Sequence, residues 1–158
     1  MKQFVALVMA VLLVGIGCKK SNDPIVQVRG EDSEMNAAIS AAQSSLTNFI
    51  AAFRNPSTNQ QYFLVKAKFV AGDEVEHIWV ADLTCDGSTF RSVIANEPER
   101  ISGLRFKQSV EVHMEQISDW MFVQNGKLVG GYTSKVLRNR MSAQQRREMD
   151  ASLPYSYE

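Results

Sequence analysis

Ile117-Ser118-Asp119-Trp120-Met121-Phe122-Val123-Gln124, then Asn125-Gly126, then Lys127-Leu128-Val129-Gly130-Gly131-Tyr132-Thr133, is the stretch that decides the fold. Two apolar-rich runs flank Asn-Gly, a dipeptide that tolerates positive φ at both positions and so suits the tight turn between antiparallel strands. Gly130-Gly131 ends the second run. Thr133 or Ser134 then stands where it can cap a final helix carrying Val136, Leu137 and Met141. The passage reads strand, hairpin, strand, helix.

Upstream, Phe63, Val65, Ala67 and Phe69 alternate with Leu64, Lys66 and Lys68, the period of a half-buried strand. Ala71-Gly72-Asp73 turns the chain into a second strand, Glu74 to Leu83, and Asp86-Gly87 is a further hairpin signal leading into Thr89 to Ala95. Gln108 to Gln116 alternates again, with Val110, Val112 and Met114 on one face and Glu111, His113 and Glu115 on the other. Before the strands, Met35, Ala38, Ile39, Ala42, Leu46, Phe49, Ile50 and Phe53 form one helical stripe, capped by Asp32 or Ser33 and stopped at Asn55-Pro56. A stripe of that width is a core face. Strands joined by short turns, with helices at the two ends, make the fold class α+β. An antiparallel sheet of five or six strands packs against an N-terminal helix and a C-terminal helix. The expected division is a signal segment over 1–18, a polar tether over 19–32, a single domain over 33–150 and a loose tail over 151–158.

The chain opens with Lys2, an uncharged run from Phe4 to Val14, and Gly15-Ile16-Gly17-Cys18. This is the layout of a secretory signal, and the run is shorter than the roughly 20 apolar residues of a spanning helix. Lys19-Lys20 directly after it fits an uncleaved anchor better than export, which keeps that alternative open. Gly17-Cys18 resembles a bacterial lipobox, although such boxes usually carry Leu where this chain has Gly15. The resemblance implies a diacylglyceryl thioether on Cys18 and a membrane anchor, at the outer membrane rather than the inner since Lys19 follows. The alternative is an ordinary cleavable signal with an incidental cysteine, and a periplasmic protein. Cys85 is the second of two cysteines, so acylation of Cys18 leaves no intrachain disulfide.

Seventeen basic residues balance seventeen acidic ones, so no overall field draws the chain to nucleic acid. His77 and His113 are the two histidines, too few with the two cysteines to suggest a metal set, and no cofactor is expected.

Glu76-His77-Ile78-Trp79-Val80, Asn96-Glu97-Pro98, Asp119-Trp120-Met121 and Gly130-Gly131-Tyr132-Thr133 occur in that order behind the helix. Together with Val65-Lys66, Phe69 and Gly72 they resemble the YegJ-like family of bacterial proteins, a domain of unknown function. The resemblance covers Met35 to Arg140. It implies a small domain, often exported or joined to other modules, and transfers no catalytic residue.

His77 shares a strand face with Trp79. A half-buried histidine bonded to a neighbour is the plainer reading, a general base or ligand the functional one. Pro98 holds Glu97 extended, which makes Asn96-Glu97-Pro98 a rigid strand exit or a pre-set carboxylate. Asp119 and Trp120 point to opposite strand faces, so one of them is expected inside; an interior Asp119 needs a partner such as Arg105 or His77. Gly130-Gly131 is a strand-to-helix turn or, with Thr133, Ser134 and Lys135, a cradle for an anion. The resulting expectation is an exported, lipid-anchored binding or interaction module of the envelope. Its candidate site gathers His77, Trp79, Asn96, Glu97, Asp119 and Trp120 around an unknown protein or small molecule. The alternatives are a small hydrolase using His77 with Glu97 or Asp119, and an immunity-like protein that binds a toxin.

Overall fold

The computed structural model describes residues 32–157, so Cys18, the signal segment and the tether up to residue 31 lie outside the described residues. The described elements are α1 (Ser33–Ser44), α2 (Leu46–Arg54), β1 (Gln60–Ala71), β2 (Glu74–Asp86), β3 (Thr89–Ile94), β4 (Ser109–His113), β5 (Ile117–Gln124), β6 (Lys127–Gly130), α3 (Tyr132–Arg140) and α4 (Ala143–Ser152). The six strands form one antiparallel sheet in the order β4-β3-β2-β1-β5-β6. The α+β class, the strand count and the helices at both ends agree with the sequence pattern.

The deciding hairpin closes as Asn-Gly chemistry requires. Asn125 and Gly126 have φ of 54° and 74°, and Gln124 pairs with Lys127 across them. Gly130 is demanded by space as well as by its φ of 77°. A Cβ there would lie 2.3 Å from the Trp120 carbonyl oxygen and 2.6 Å from its ring.

One sheet face, under α1 and α2, is the principal core. Val65, Ala67, Ile78, Val80, Phe90, Ile94 and Val112 point into it with Phe49 of α2, all with no accessible surface. Phe49 stacks on Phe53, meets Phe63 and Phe90 edge-on and packs 5.7 Å from Trp120. Burying each such ring stabilises the fold by about 1.5–3 kcal/mol, and each ring pair adds about 0.5–1.5 kcal/mol. Trp120 Nε1 donates to Ala42 O at 2.9 Å and so locks α1 to β5.

Four expectations need correction. The single N-terminal helix is two, because Ser45 leaves helical geometry (φ −102°, ψ 6°) and its Oγ lies 2.6 Å from Ala41 O and 2.9 Å from the Tyr132 hydroxyl. A serine that bonds the preceding carbonyls competes with the helix, while the apolar period runs on undisturbed. The final helix is likewise two, since Ser142 and Gln145 form a capping box that starts α4. The strand expected over 108–116 stops at His113, and Met114–Gln116 forms a 3₁₀ turn. The tail read as loose returns to the sheet. Ser156 N donates to Gly126 O at 2.9 Å, and Leu128 N donates to Ser156 O at 2.8 Å.

α3 sits at the sheet's end with two working sides. Val136 packs with Met35 and Ala38 of α1, and Arg140 holds the start of α1 through Asp32 (2.6 Å) and Glu34 (2.8 Å). The other side looks onto the second sheet face, where α4 and the tail also lie.

Candidate functional site

The second face is covered by α3, α4 and the tail, and beneath them β5 carries an extra residue. Lys66 pairs with Asp119 while Ala67 pairs with Ile117, so Ser118 is inserted between them. Such a bulge sets two residues against one and re-aims their side chains. Ser118 and Asp119 therefore both oppose Lys66. All three are buried, at 3 %, 0 % and 8 % exposed.

Asp119 is met by donors on every side. Oδ1 accepts from Trp120 N (2.8 Å) and Tyr132 N (3.1 Å); Oδ2 accepts from Thr133 N (2.8 Å) and Thr133 Oγ1 (2.6 Å). It thus caps α3 from outside, in place of Gly131, which has no side chain to do so. The anion that the Gly130-Gly131 turn was read as able to hold is the chain's own carboxylate. Thr133 hands the interaction on. Its hydroxyl, donating to Asp119, accepts from Lys66 Nζ at 2.9 Å. The Lys66 ammonium also lies 4.8 Å over the Trp79 ring. Burial pushes its pKa down to about 8, against the pull of Asp119 towards the charged form.

Lys66, Leu64, His77 and Trp79 form the floor of a cleft of about 290 Å³. Asn96 and Met121 flank it, and Leu137, Met141, Met149, Tyr155 and Tyr157 close it from above. Two more open hollows are present, one of 410 Å³ over Asp82, Arg91 and Glu111 and one of 470 Å³ beside Arg138 and Asp150 that shares Leu153, Tyr155 and Tyr157 with the cleft. Neither is lined by a buried charged side chain. The 290 Å³ cleft is the candidate site because it joins an apolar lining to a buried cation.

Of the six residues expected to converge, His77, Trp79 and Asn96 line this cleft, and Asp119 lies beneath it, reached through Thr133. Trp120 belongs to the core on the other sheet face, and Glu97 is exposed past the end of β3. The expectation that only one of Asp119 and Trp120 lies inside was wrong. β5 is covered on both faces, by α1 and α2 on one and by α3 and the tail on the other, so it is buried along nearly its whole length. Nor does Asp119 use Arg105 or His77 as its partner.

His77 is an exposed residue whose Nδ1 is 2.7 Å from Ser118 Oγ. Burial of the ring, then the charges of Lys66 and Lys68, lower its pKa, which leaves it neutral at neutral pH. It hydrogen-bonds neither Glu97 nor Asp119 among the described residues, so the pairing of the hydrolase reading is not assembled. Ser118 is enclosed, with Lys66 O accepting from its hydroxyl at 3.2 Å. Asn96 Oδ1 accepts from Trp79 N at 2.8 Å, replacing a ladder partner where β3 ends. Glu76 is a half-buried carboxylate that accepts from the backbone of Glu99, Arg100 and Ile101 at 2.8–3.1 Å and fastens the loop after Pro98. Among the described residues no three His, Cys, Asp or Glu side chains group closely enough to hold a metal ion.

Sequence reasoning missed Lys66, Met121, Tyr155 and Tyr157 as site residues. Leu64 beside Lys66 was the available signal, an apolar residue on the strand face assigned to solvent.

A family model described as "Uncharacterized protein conserved in bacteria (DUF2314)" matches residues 32–156. The chain is 28 % identical over 133 residues to "Uncharacterized protein YegJ" of Escherichia coli (strain K12), covering 84 % of this chain and 86 % of that one. It is 40 % identical over 81 residues to a putative ankyrin repeat protein of Neisseria meningitidis serogroup B, covering 51 % of this chain but 32 % of that protein, so it spans about a third of it. No solved structure is a significant match.

The Lys66 ammonium has a pH signature. Its folded pKa, about 8, lies below its usual 10.5, so between those values the unfolded chain binds more protons and stability rises with pH. The gain from pH 8 to 9.5 is about 1.5 kcal/mol. Burial raises the pKa of Tyr155 and Tyr157, which makes them lose stability only above pH 10, outside this window. Urea unfolding at the two pH values should show the rise in the natural chain, and Lys66→Met should flatten it.

Proposed function

Given that the chain belongs to the bacterial DUF2314 family, we propose that it is a small binding module of the cell envelope whose ligand enters the Lys66–Trp79 cleft. The observation that carries this reading is a buried ammonium facing an apolar cleft. Lysine has three donors, Thr133 takes one, and Trp79 lies beneath the charge. The ligand that answers this chemistry has an apolar body, suited to the methionine and tyrosine walls, and a carboxylate or carbonyl oxygen for Lys66. The second relative supports the module reading, since its matching stretch is a part of a longer ankyrin repeat protein. Placement in the envelope rests on the signal-like run and on Cys18, which we take to carry the lipid.

Dodecanoate is a minimal probe, with dodecyltrimethylammonium as the control of opposite charge. Trp79 fluorescence should report micromolar dodecanoate binding and no binding of the cation. Lys66→Met should weaken dodecanoate by roughly ten- to a hundredfold, the worth of one charged hydrogen bond. Equal binding of both amphiphiles, indifferent to Lys66→Met, would remove the reading. The anchor is tested separately by the intact mass of the natively exported protein. A diacylglyceryl group on an N-terminal Cys18 is expected, and an unmodified N-terminus further along contradicts it.

A further inference from the structure

Part of the cleft's roof is the segment after α4, and the way it is held is that of a bound peptide. β6 is the last strand of the sheet, so one side of its backbone has no strand partner. Residue 156 fills part of that side through a single parallel bridge. Lys127 pairs with Ser156, whose N–H donates to Gly126 O and whose carbonyl accepts from Leu128 N. Tyr155 and Tyr157 flank this pairing, their rings 6.1 Å apart, and pack against the apolar set of Leu64, Met121, Val123 and Leu128. The Arg138 guanidinium lies 4.8 Å over the Tyr157 ring.

The helix that leads to this segment does not force it into place. No residue of α4 is buried, and its strongest tie is the two-pronged Arg138–Asp150 pair at 2.6 and 2.8 Å. An element with so little buried surface opens at low cost. The groove's complementarity is therefore to Tyr-Ser-Tyr itself.

We propose that the β6 edge and its apolar groove form a docking site for an extended polypeptide segment of a partner, bearing aromatic side chains two residues apart, and that Tyr155-Ser156-Tyr157 occupies it in the partner's absence. Main-chain pairing to an exposed strand supplies affinity, and the pockets for alternate side chains supply selectivity. The inference deepens the binding-module reading and rests on it, because the incoming segment replaces the tail as the cleft's roof and brings its own carbonyl groups towards Lys66. The tail competes from within the chain at an effective concentration on the order of millimolar, so a partner succeeds by binding more tightly or by carrying several such segments.

The test uses the full chain with Tyr155→Ala and Tyr157→Ala and a fluorescent peptide of residues 152–157, read by anisotropy. The peptide should bind this variant at least tenfold more tightly than the natural chain, and a peptide with both tyrosines replaced by alanine should bind neither. If the double variant fails to fold, Ser156→Pro serves instead, since it removes the N–H that Gly126 accepts and leaves the pockets intact. Binding to neither chain, or equal binding to both, overturns the inference. If dodecanoate still binds through Lys66 in the same samples, the binding-module reading survives that failure; if both probes fail, both are lost.

Discussion

One buried carboxylate organises this domain. Asp119 has no accessible surface and receives four hydrogen bonds: one from within β5, two from the first backbone N–H groups of α3 and one from the Thr133 hydroxyl. A charge so placed is costly unless fully partnered, and removing any partner leaves an exposed deficit in a medium where water cannot help. That requirement sets the entry point of α3, and hence where Val136 meets α1 and where Leu137 overlooks the second sheet face. Asp119 stands on that face in step with Met121, and the extra residue Ser118 is what lets Ile117 return to the core face. Gly130 is what lets the chain pass Trp120 closely enough to deliver the N–H groups.

The cleft follows from the same constraint. Thr133, held by Asp119, gives Lys66 a side-chain acceptor, and the ammonium remains on the floor of a largely apolar space. The two charges are joined through a hydroxyl, not by direct contact, which leaves Lys66 donors facing the cleft while Asp119 is saturated. A structural core would have no use for this asymmetry, since an apolar residue at position 66 would serve packing better. This asymmetry is what supports the binding role proposed for the cleft.

Much of the architecture was legible in the sequence because it rests on local chemistry. Asn125-Gly126 and Asp86-Gly87 marked hairpins, alternation at Phe63 to Phe69 marked a strand, and the stripe from Met35 to Phe53 marked the covering helix. What escaped notice depends on events that period and turn residues do not record. Ser45 breaks a helix whose apolar stripe continues across it. Alternation alone left Lys66 on a solvent face; it records neither the cover that α3, α4 and the tail lay over that face nor the bulge that sets Ser118 and Asp119 both opposite Lys66. The tail was read as loose, yet Tyr155 and Tyr157 stand two apart, the spacing of an edge strand. His77, Trp79, Asn96, Glu97 and Trp120 were grouped by residue type and turn context, which do not record that Trp120 faces the other core or that Glu97 lies past the end of β3.

The central claim is that Asp119 and Lys66 act as one unit through Thr133, and a double-mutant cycle tests it most directly. Urea unfolding at pH 7 of the natural chain, Asp119→Asn, Lys66→Met and the double variant yields the coupling. The account predicts that the two effects on stability fail to add by at least about 1 kcal/mol, since either change alters the environment the other group needs. Additivity within about 0.5 kcal/mol would show two independent residues and contradict it.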